Sequence, residues 1–220
     1  VKMLSNLAGM QPYTFSKKDE EREYKWKLYK SICNNFSEFY KNELFKNKNS
    51  IKAKNYLKAR GLSGIEVKNF NLGFVTEDYD YYKNLKKDYD EESIKDTGLF
   101  YFDEKKKKYI SRFRNRIIFP INNISGNVIG FGGRIVEDNK NLAKYINSPE
   151  TPFFKKGSNL YNLDKARKLS NKLEDVYLVE GYMDVIGLSK NGIENTVANL
   201  GTSLTNKQIQ ILNQFYNHII

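Results

Sequence analysis

Two carboxylates near the C-terminal end, Glu180 and Asp184, are the residues of this sequence best placed for chemistry. The run Val176-Tyr177-Leu178-Val179 before them is short and apolar, which predicts a strand buried on both faces. Tyr182 to Lys190 predicts a helix that ends at Asn191-Gly192. Glu180 then stands at the carboxyl end of the strand, and Gly181 is expected to let the backbone turn sharply into the helix. Asp184 comes about one helical turn later, so both carboxylates can face one crevice. Two close carboxylates repel unless a cation or a proton intervenes. Mg²⁺, which prefers oxygen ligands, is the natural neutraliser. A plainer role stays open for Asp184, because an acid in a helix's first turn complements the helix dipole.

A second set of candidates is basic. Arg112, Arg114 and Arg116 alternate along a segment that reads as extended, so their side chains are expected on one face. Guanidinium groups suit bidentate contacts to phosphate. Arg134 follows Phe131-Gly132-Gly133, where two glycines allow close backbone approach, and Lys144, Lys155 and Lys156 fall in a Pro/Gly-rich stretch, about 138–160. A solvated charged face is the alternative for these residues, and the Lys105–Lys108 run reads as a solvated hairpin tip. His218, the single histidine, is given no catalytic role, and Cys33 reads as a core residue. No P-loop or dinucleotide fingerprint occurs, so a Walker-type ATPase is not implied.

The elements that must position these groups can be read from periodicity. Residues 1–16 read as a linker ending near Pro12. Residues 17–47 predict a long helix with a stripe of Leu28, Ile32, Phe36, Phe39 and Leu44, flanked by Trp26 and Tyr40. Helices follow at about 50–60, stopping at Gly61, and from Ser63, where Ser63 and Glu66 have capping-box spacing. A strand over 70–75, helices near 80–88 and 91–97, and a hairpin of 99–102 with 109–113 come next. Ile117-Ile118-Phe119 and Val128-Ile129-Gly130-Phe131 predict strands joined through Ser125-Gly126, and a helix spans Leu163 to Lys172. The last 46 residues alternate strand, helix, strand, helix, strand, with the later strands at 195–198 and from His218. That order implies a parallel sheet, and ligands gather at the carboxyl ends of such strands. The fold class is therefore α/β: an α+β first part followed by a parallel α/β unit.

Composition bounds the classes. The chain has 220 residues, 40% apolar, enough for one or two packed domains. No apolar run approaches the roughly 20 residues of a membrane span. A single cysteine excludes an internal disulfide framework and a Cys-based zinc site. The net charge of +11 suggests a polyanionic partner, with a codon-usage surplus of Lys as the alternative. The start at Val1 has no initiator Met and no signal-peptide pattern, so a piece of a longer cytoplasmic protein is expected.

Several motifs, in order, resemble one family. Val179-Glu180-Gly181-Tyr182-Met183-Asp184-Val185 is similar to the glutamate motif of the Toprim domain in bacterial primases of the DnaG type, and Ala198 to Thr205 resembles the stretch after it. Arg112 to Ile121, Val128 to Arg134, Lys144 to Thr151 and Lys155 to Tyr161 look like the basic blocks of the primase core. Arg60-Gly61-Leu62-Ser63 with Phe74 resembles its helical start, and Leu4 to Gly9 the tail of the segment before it. The resemblance implies residues 17–173 as the N-terminal subdomain of the catalytic core and 174–220 as a Toprim domain that stops before its Asp-x-Asp motif. It implies synthesis of short RNA primers on single-stranded DNA from ribonucleoside triphosphates, by nucleotidyl transfer assisted by Mg²⁺ or Mn²⁺. Glu180 would be the Toprim acid, acting as metal ligand or general acid/base, with Asp184 supporting the site. Arg60, Arg134, Lys144, Asn147 and Lys156 would hold nucleotide phosphates or template, and Arg112 and Arg114 would face the template. Zinc is expected only in an N-terminal module outside these residues, and a replicative helicase only through a further domain. A binding-only module for single-stranded nucleic acid and another Toprim protein, such as a nuclease or topoisomerase, are the competing functions.

Overall fold

A computed structural model describes residues 16–76, 81–137, 139–171, 173–201 and 203–220. The expected linker, the Leu4–Gly9 match, Lys172 and Thr202 lie outside the described residues.

Helix α1 (Lys17–Lys46) opens on a capping box between Ser16 and Asp19. It buries Tyr29, Ile32, Cys33, Phe36, Tyr40 and Leu44. The stripe is thus turned slightly from the expected one: Leu28 and Phe39 are only half-buried, and Tyr29 and Tyr40 take the inner positions. Tyr29 can do so because its hydroxyl donates to the Ile129 carbonyl at 2.6 Å. Burial holds the Cys33 thiol well above its ordinary range, as befits a core residue.

Helices α2 (Ile51–Ala59) and α3 (Gly64–Asn69) follow, separated by Gly61 at φ +77°, and α3 starts with the expected Ser63–Glu66 capping box. Strand β1 (Gly73–Val75) is shorter than expected. Helices α4 (Tyr81–Leu85) and α5 (Glu91–Asp96) lead to an antiparallel hairpin, β2 (Phe100–Asp103) with β3 (Lys108–Ser111). Asp103 accepts from the backbone of Lys105 and Lys106, so the lysine run is an exposed, self-capped tip.

Strands β4 (Arg116–Asn122), β5 (Val128–Ile135) and β6 (Tyr145–Asn147) complete a four-stranded sheet in the order β1-β4-β5-β6. Strand β6, inside the stretch read as loop, was not expected. It pairs antiparallel with Gly132, Gly133 and Arg134 of β5. The long helix packs across this sheet, where Phe36 meets Phe131 and Phe113.

The C-terminal part has the expected alternation. Helix α6 (Leu163–Ala166) runs on as a single 3₁₀ turn, then come β7 (Asp175–Val179), α7 (Tyr182–Lys190), β8 (Thr196–Ala198), α8 (Asn206–Leu212) and β9 (His218–Ile219). The sheet is parallel with order β8-β7-β9. Only Val176 of β7 is fully buried, so full burial on both faces does not hold for that strand. A small apolar cluster of Leu160, Leu163, Ala166, Val176, Val197, Leu212 and Tyr216 lies under one face. The other face, through Tyr182, Val185, Ile186 and Ala198, joins the large core of the antiparallel sheet. Among the described residues no helix is long and apolar enough to cross a membrane.

Candidate functional site

Glu180 stands where β7 ends and α7 begins, with its side chain exposed at the carboxyl edge of the parallel sheet. Among the described residues its carboxylate has no hydrogen-bond or ion-pair partner, so it is open to a ligand. Gly181 is extended (φ −148°), and a Cβ there would sit 3.6 Å from Asp184 Oδ2, an ordinary contact. The chain bends at Glu180 and Gly181 as expected, but in a backbone conformation open to any residue. Asp184 accepts from the Gly181 backbone N–H at 3.0 Å. Its plainer role, capping the helix, is the one the geometry displays. Beside them, Asn199 donates its backbone N–H to the Val179 carbonyl, and its side-chain Oδ1 is buried without a hydrogen-bond partner.

Tyr182, the next residue along the helix, fixes this junction. Its ring is buried, stacks on Phe119 at 4.8 Å and meets Tyr161 edge-on at 4.7 Å. Its hydroxyl donates to Asn147 Oδ1, and Asn147 Nδ2 donates to the Leu200 carbonyl at 2.7 Å. Burial pushes the Tyr182 phenol far above its ordinary value, so it remains an O–H donor. A Cβ on Gly132 would lie 2.4 Å from Tyr182 Cζ, and one on Gly133 2.6 Å from Phe113 Cδ1. The close approach expected at Gly132-Gly133 is real, and two aromatic rings make it. Sequence reasoning named Tyr182 only as a helix start. Its signal was the bare glycine pair, which requires something large opposite.

The basic residues divide. Arg134, in β5, is 5% exposed, with its guanidinium 4.0 Å from the Tyr56 ring and 5.7 Å from that of Tyr145. Its Nε has no hydrogen-bond partner. Tyr145 faces Tyr182 at 6.4 Å, which joins the Arg134 cluster to the Glu180 junction, and Arg60, exposed at the end of α2, acts electrostatically on Tyr145. Lys144 is exposed beside Tyr145. Lys156 lies in the turn whose carbonyls accept from Gln208 of α8, and Thr205 donates to Gly157 there, so this turn is tied to the loop after β8. Lys155 pairs with Glu150 at 3.4 Å.

Arg112 to Arg116 is not the extended segment expected. Residues 112–115 form a turn with Asn115 at φ +52°, and the three arginines point to different partners. Arg112 donates to the Gly98 carbonyl and lies over the Tyr101 ring, and Arg114 donates to the Tyr101 hydroxyl. Both belong to the side of the β2–β3 hairpin. Arg116 is 5% exposed and donates to the carbonyls of Ala143, Lys144 and Gly133 at 2.9, 3.2 and 3.3 Å. A guanidinium so used holds the chain entering β6 and has no face left for a phosphate.

The fit of a metal follows from the donors. The exposed Glu180 carboxylate and the unpaired Asn199 oxygen are hard oxygen donors at a carboxyl edge, the kind a divalent cation such as Mg²⁺ takes. Among the described residues no cluster of three His, Cys, Asp or Glu side chains accompanies them.

Comparison with known proteins matches this arrangement. Residues 39–167 match the family model of the DNA primase catalytic core, N-terminal domain, and residues 174–220 match that of the Toprim domain. The chain is 39% identical over 216 residues to the DNA primase of Lactococcus lactis subsp. lactis, covering 97% of this chain and 33% of that protein. A solved structure of the DnaG primase catalytic domain bound to ssDNA superposes with a TM-score of 0.81 at 34% identity, covering 90% of this chain and 61% of that one. The Aquifex aeolicus primase structure with zinc-binding and RNA polymerase domains gives 0.79 at 32% identity, covering 99% and 51%. The chain thus spans about a third of the length of the curated relative. With aligned motifs on both sides of the Tyr182–Asn147 contact, this chain belongs to the bacterial DNA primase family, of the DnaG type.

Proposed function

We propose that this chain supplies part of the active site with which a primase synthesises short RNA primers on single-stranded DNA from ribonucleoside triphosphates. The observation that carries the reading is the Tyr182–Asn147 hydrogen bond. It holds the Glu180 junction against β6, the strand that follows Lys144 and pairs with the Arg134 end of β5, which supports one site for the acid and the basic residues. Glu180 is the acid that would hold the divalent metal, Mg²⁺ or Mn²⁺, and Asn199 is a second oxygen beside it. The metal, when bound, neutralises phosphate charge in the transfer. Asp184 keeps the helix start in place through the Gly181 N–H. Lys144 and Lys156, with Arg60, bind phosphates of nucleotide or template. Arg134, buried over the Tyr56 ring with its Nε unpartnered, supports this basic side from within. Arg112 and Arg114 form a separate template contact near Tyr101, and Arg116 serves as an anchor of the chain.

In the full-length protein, Glu180→Gln is expected to abolish primer synthesis from labelled ribonucleotides while single-stranded DNA binding persists. Normal primer yield would end the assignment. The absence of a three-ligand cluster among the described residues favours a second reading for these 220 residues by themselves, binding without synthesis. The same product gel run on this chain distinguishes the two.

A further inference from the structure

Arg116 and Arg134 are both buried close to β6, and they are held in different ways. Arg116 is tied to three carbonyls. Arg134 donates to the carbonyl of its own neighbour, Ile135, at 2.5 Å. Among the described residues no carboxylate lies within ion-pair distance of it. A charge withdrawn from water without an anion is unfavourable unless another group steadies it. Here that group is an aromatic face. The guanidinium carbon lies 4.0 Å from the centroid of the Tyr56 ring, well inside the roughly 6 Å of a cation–π contact, and 5.7 Å from that of Tyr145.

The Tyr56 hydroxyl does not explain why a tyrosine stands there. It is buried and has no hydrogen-bond partner. What Tyr56 brings is its ring, and a flat ring is the shape on which a guanidinium plane can lie. An aliphatic side chain could fill the same space and would leave the charge unsupported. The charge is also felt outside. Burial and the Tyr56 phenol raise the Tyr145 phenol above its ordinary value, and Arg134 and Arg60 oppose them. Tyr145 is 39% exposed, next to the exposed Lys144. Arg60 stands about one helical turn beyond Tyr56, at the end of α2. The helix that supplies the ring thus also carries an exposed cation of the basic side.

We infer that Tyr56 is a positioning residue: its ring holds the Arg134 guanidinium in place under the basic side, and through Arg134 it raises the affinity for single-stranded DNA. The inference rests on the proposed reading of that side as the place where phosphates bind. The competing explanation is plain packing, since Tyr56 also lies against the large core.

The test is binding of a labelled single-stranded oligonucleotide to the full-length protein at fixed ionic strength. Arg134→Met and Tyr56→Leu are each expected to weaken binding about 3–10-fold. The double variant should bind no more weakly than either single one, because both remove the same contact. Tyr56→Phe keeps the ring and should restore the affinity. Trifluorophenylalanine in place of Tyr56 keeps the shape but strips negative charge from the ring face, and it should bind as weakly as Tyr56→Leu. This variant carries the test even if Tyr56→Leu fails to fold, because packing alone would let it match Tyr56→Phe. Loss with Arg134→Met but none with Tyr56→Leu or the fluorinated ring overturns the inference and leaves the reading of the basic side intact. Losses that multiply in the double variant overturn it as well. Unchanged binding with Arg134→Met removes Arg134 from the basic side, and the inference falls together with that part of the reading.

Discussion

The Tyr182 hydroxyl donates to Asn147 Oδ1 across the boundary between the parallel unit and the antiparallel sheet, directly above a glycine that leaves the ring its space. Removing the hydroxyl with Tyr182→Phe leaves a part-buried acceptor unpaired. That should cost about 1–3 kcal/mol, read as a lower midpoint in urea.

Gly132→Ala attacks the same contact from the strand. Its new methyl would stand 2.4 Å from Tyr182 Cζ, a contact that the ring can relieve only by moving. The expected loss is about 1–3 kcal/mol. Combined with Tyr182→Leu it should be strongly non-additive, because the smaller side chain removes the clash. Simple additivity in the double-mutant cycle would show that the ring does not define the approach.

Arg116→Met should destabilise the chain by about 2–4 kcal/mol through the loss of charge-assisted bonds to three carbonyls. Proteolysis within 139–144 should accelerate. Arg116→Lys should recover little, since an ammonium cannot reach three carbonyls in a fixed fork.

Lys144→Ala should leave stability unchanged and lower the salt slope of single-stranded DNA binding by about 0.7. Arg116→Met, if it folds, should leave that slope alone. A slope that falls for Arg116→Met and not for Lys144→Ala would reverse the two roles.

Acid sensitivity has a local source in Glu91, whose carboxyl is drawn down to about 2 by hydrogen bonds from Lys95 and Lys86. A depressed folded value means that the stabilisation is complete above the ordinary carboxyl value near 4.5 and fades as pH falls through about 2. Glu91→Gln should flatten the acid limb of a stability profile. The difference should shrink in high salt, because the side chains are exposed.

Periodicity and caps made most of the elements legible. The long helix, the Ser63–Glu66 box, the β2–β3 and β4–β5 hairpins and the closing strand–helix alternation all carry local signals. Strand β6 does not, because its three residues become a strand only by pairing with Gly132, Gly133 and Arg134, a long-range choice. Alternate arginines at 112, 114 and 116 fit a strand and a turn equally well as spacing. Asn115, which tolerates positive φ, decided for the turn. Glu180 was legible as a strand-end acid, whereas Asn199 and Tyr182 were not, since their roles rest on burial and on partners far away in sequence.

The separate apolar cluster beneath the parallel sheet has a dynamic consequence. Seven buried side chains hold that face, while helix α7 is fastened to the larger interior on the other side. Backbone amides of β9 and α8 should therefore exchange with deuterium through a partial opening that leaves α7 and the β4–β5 ladder protected.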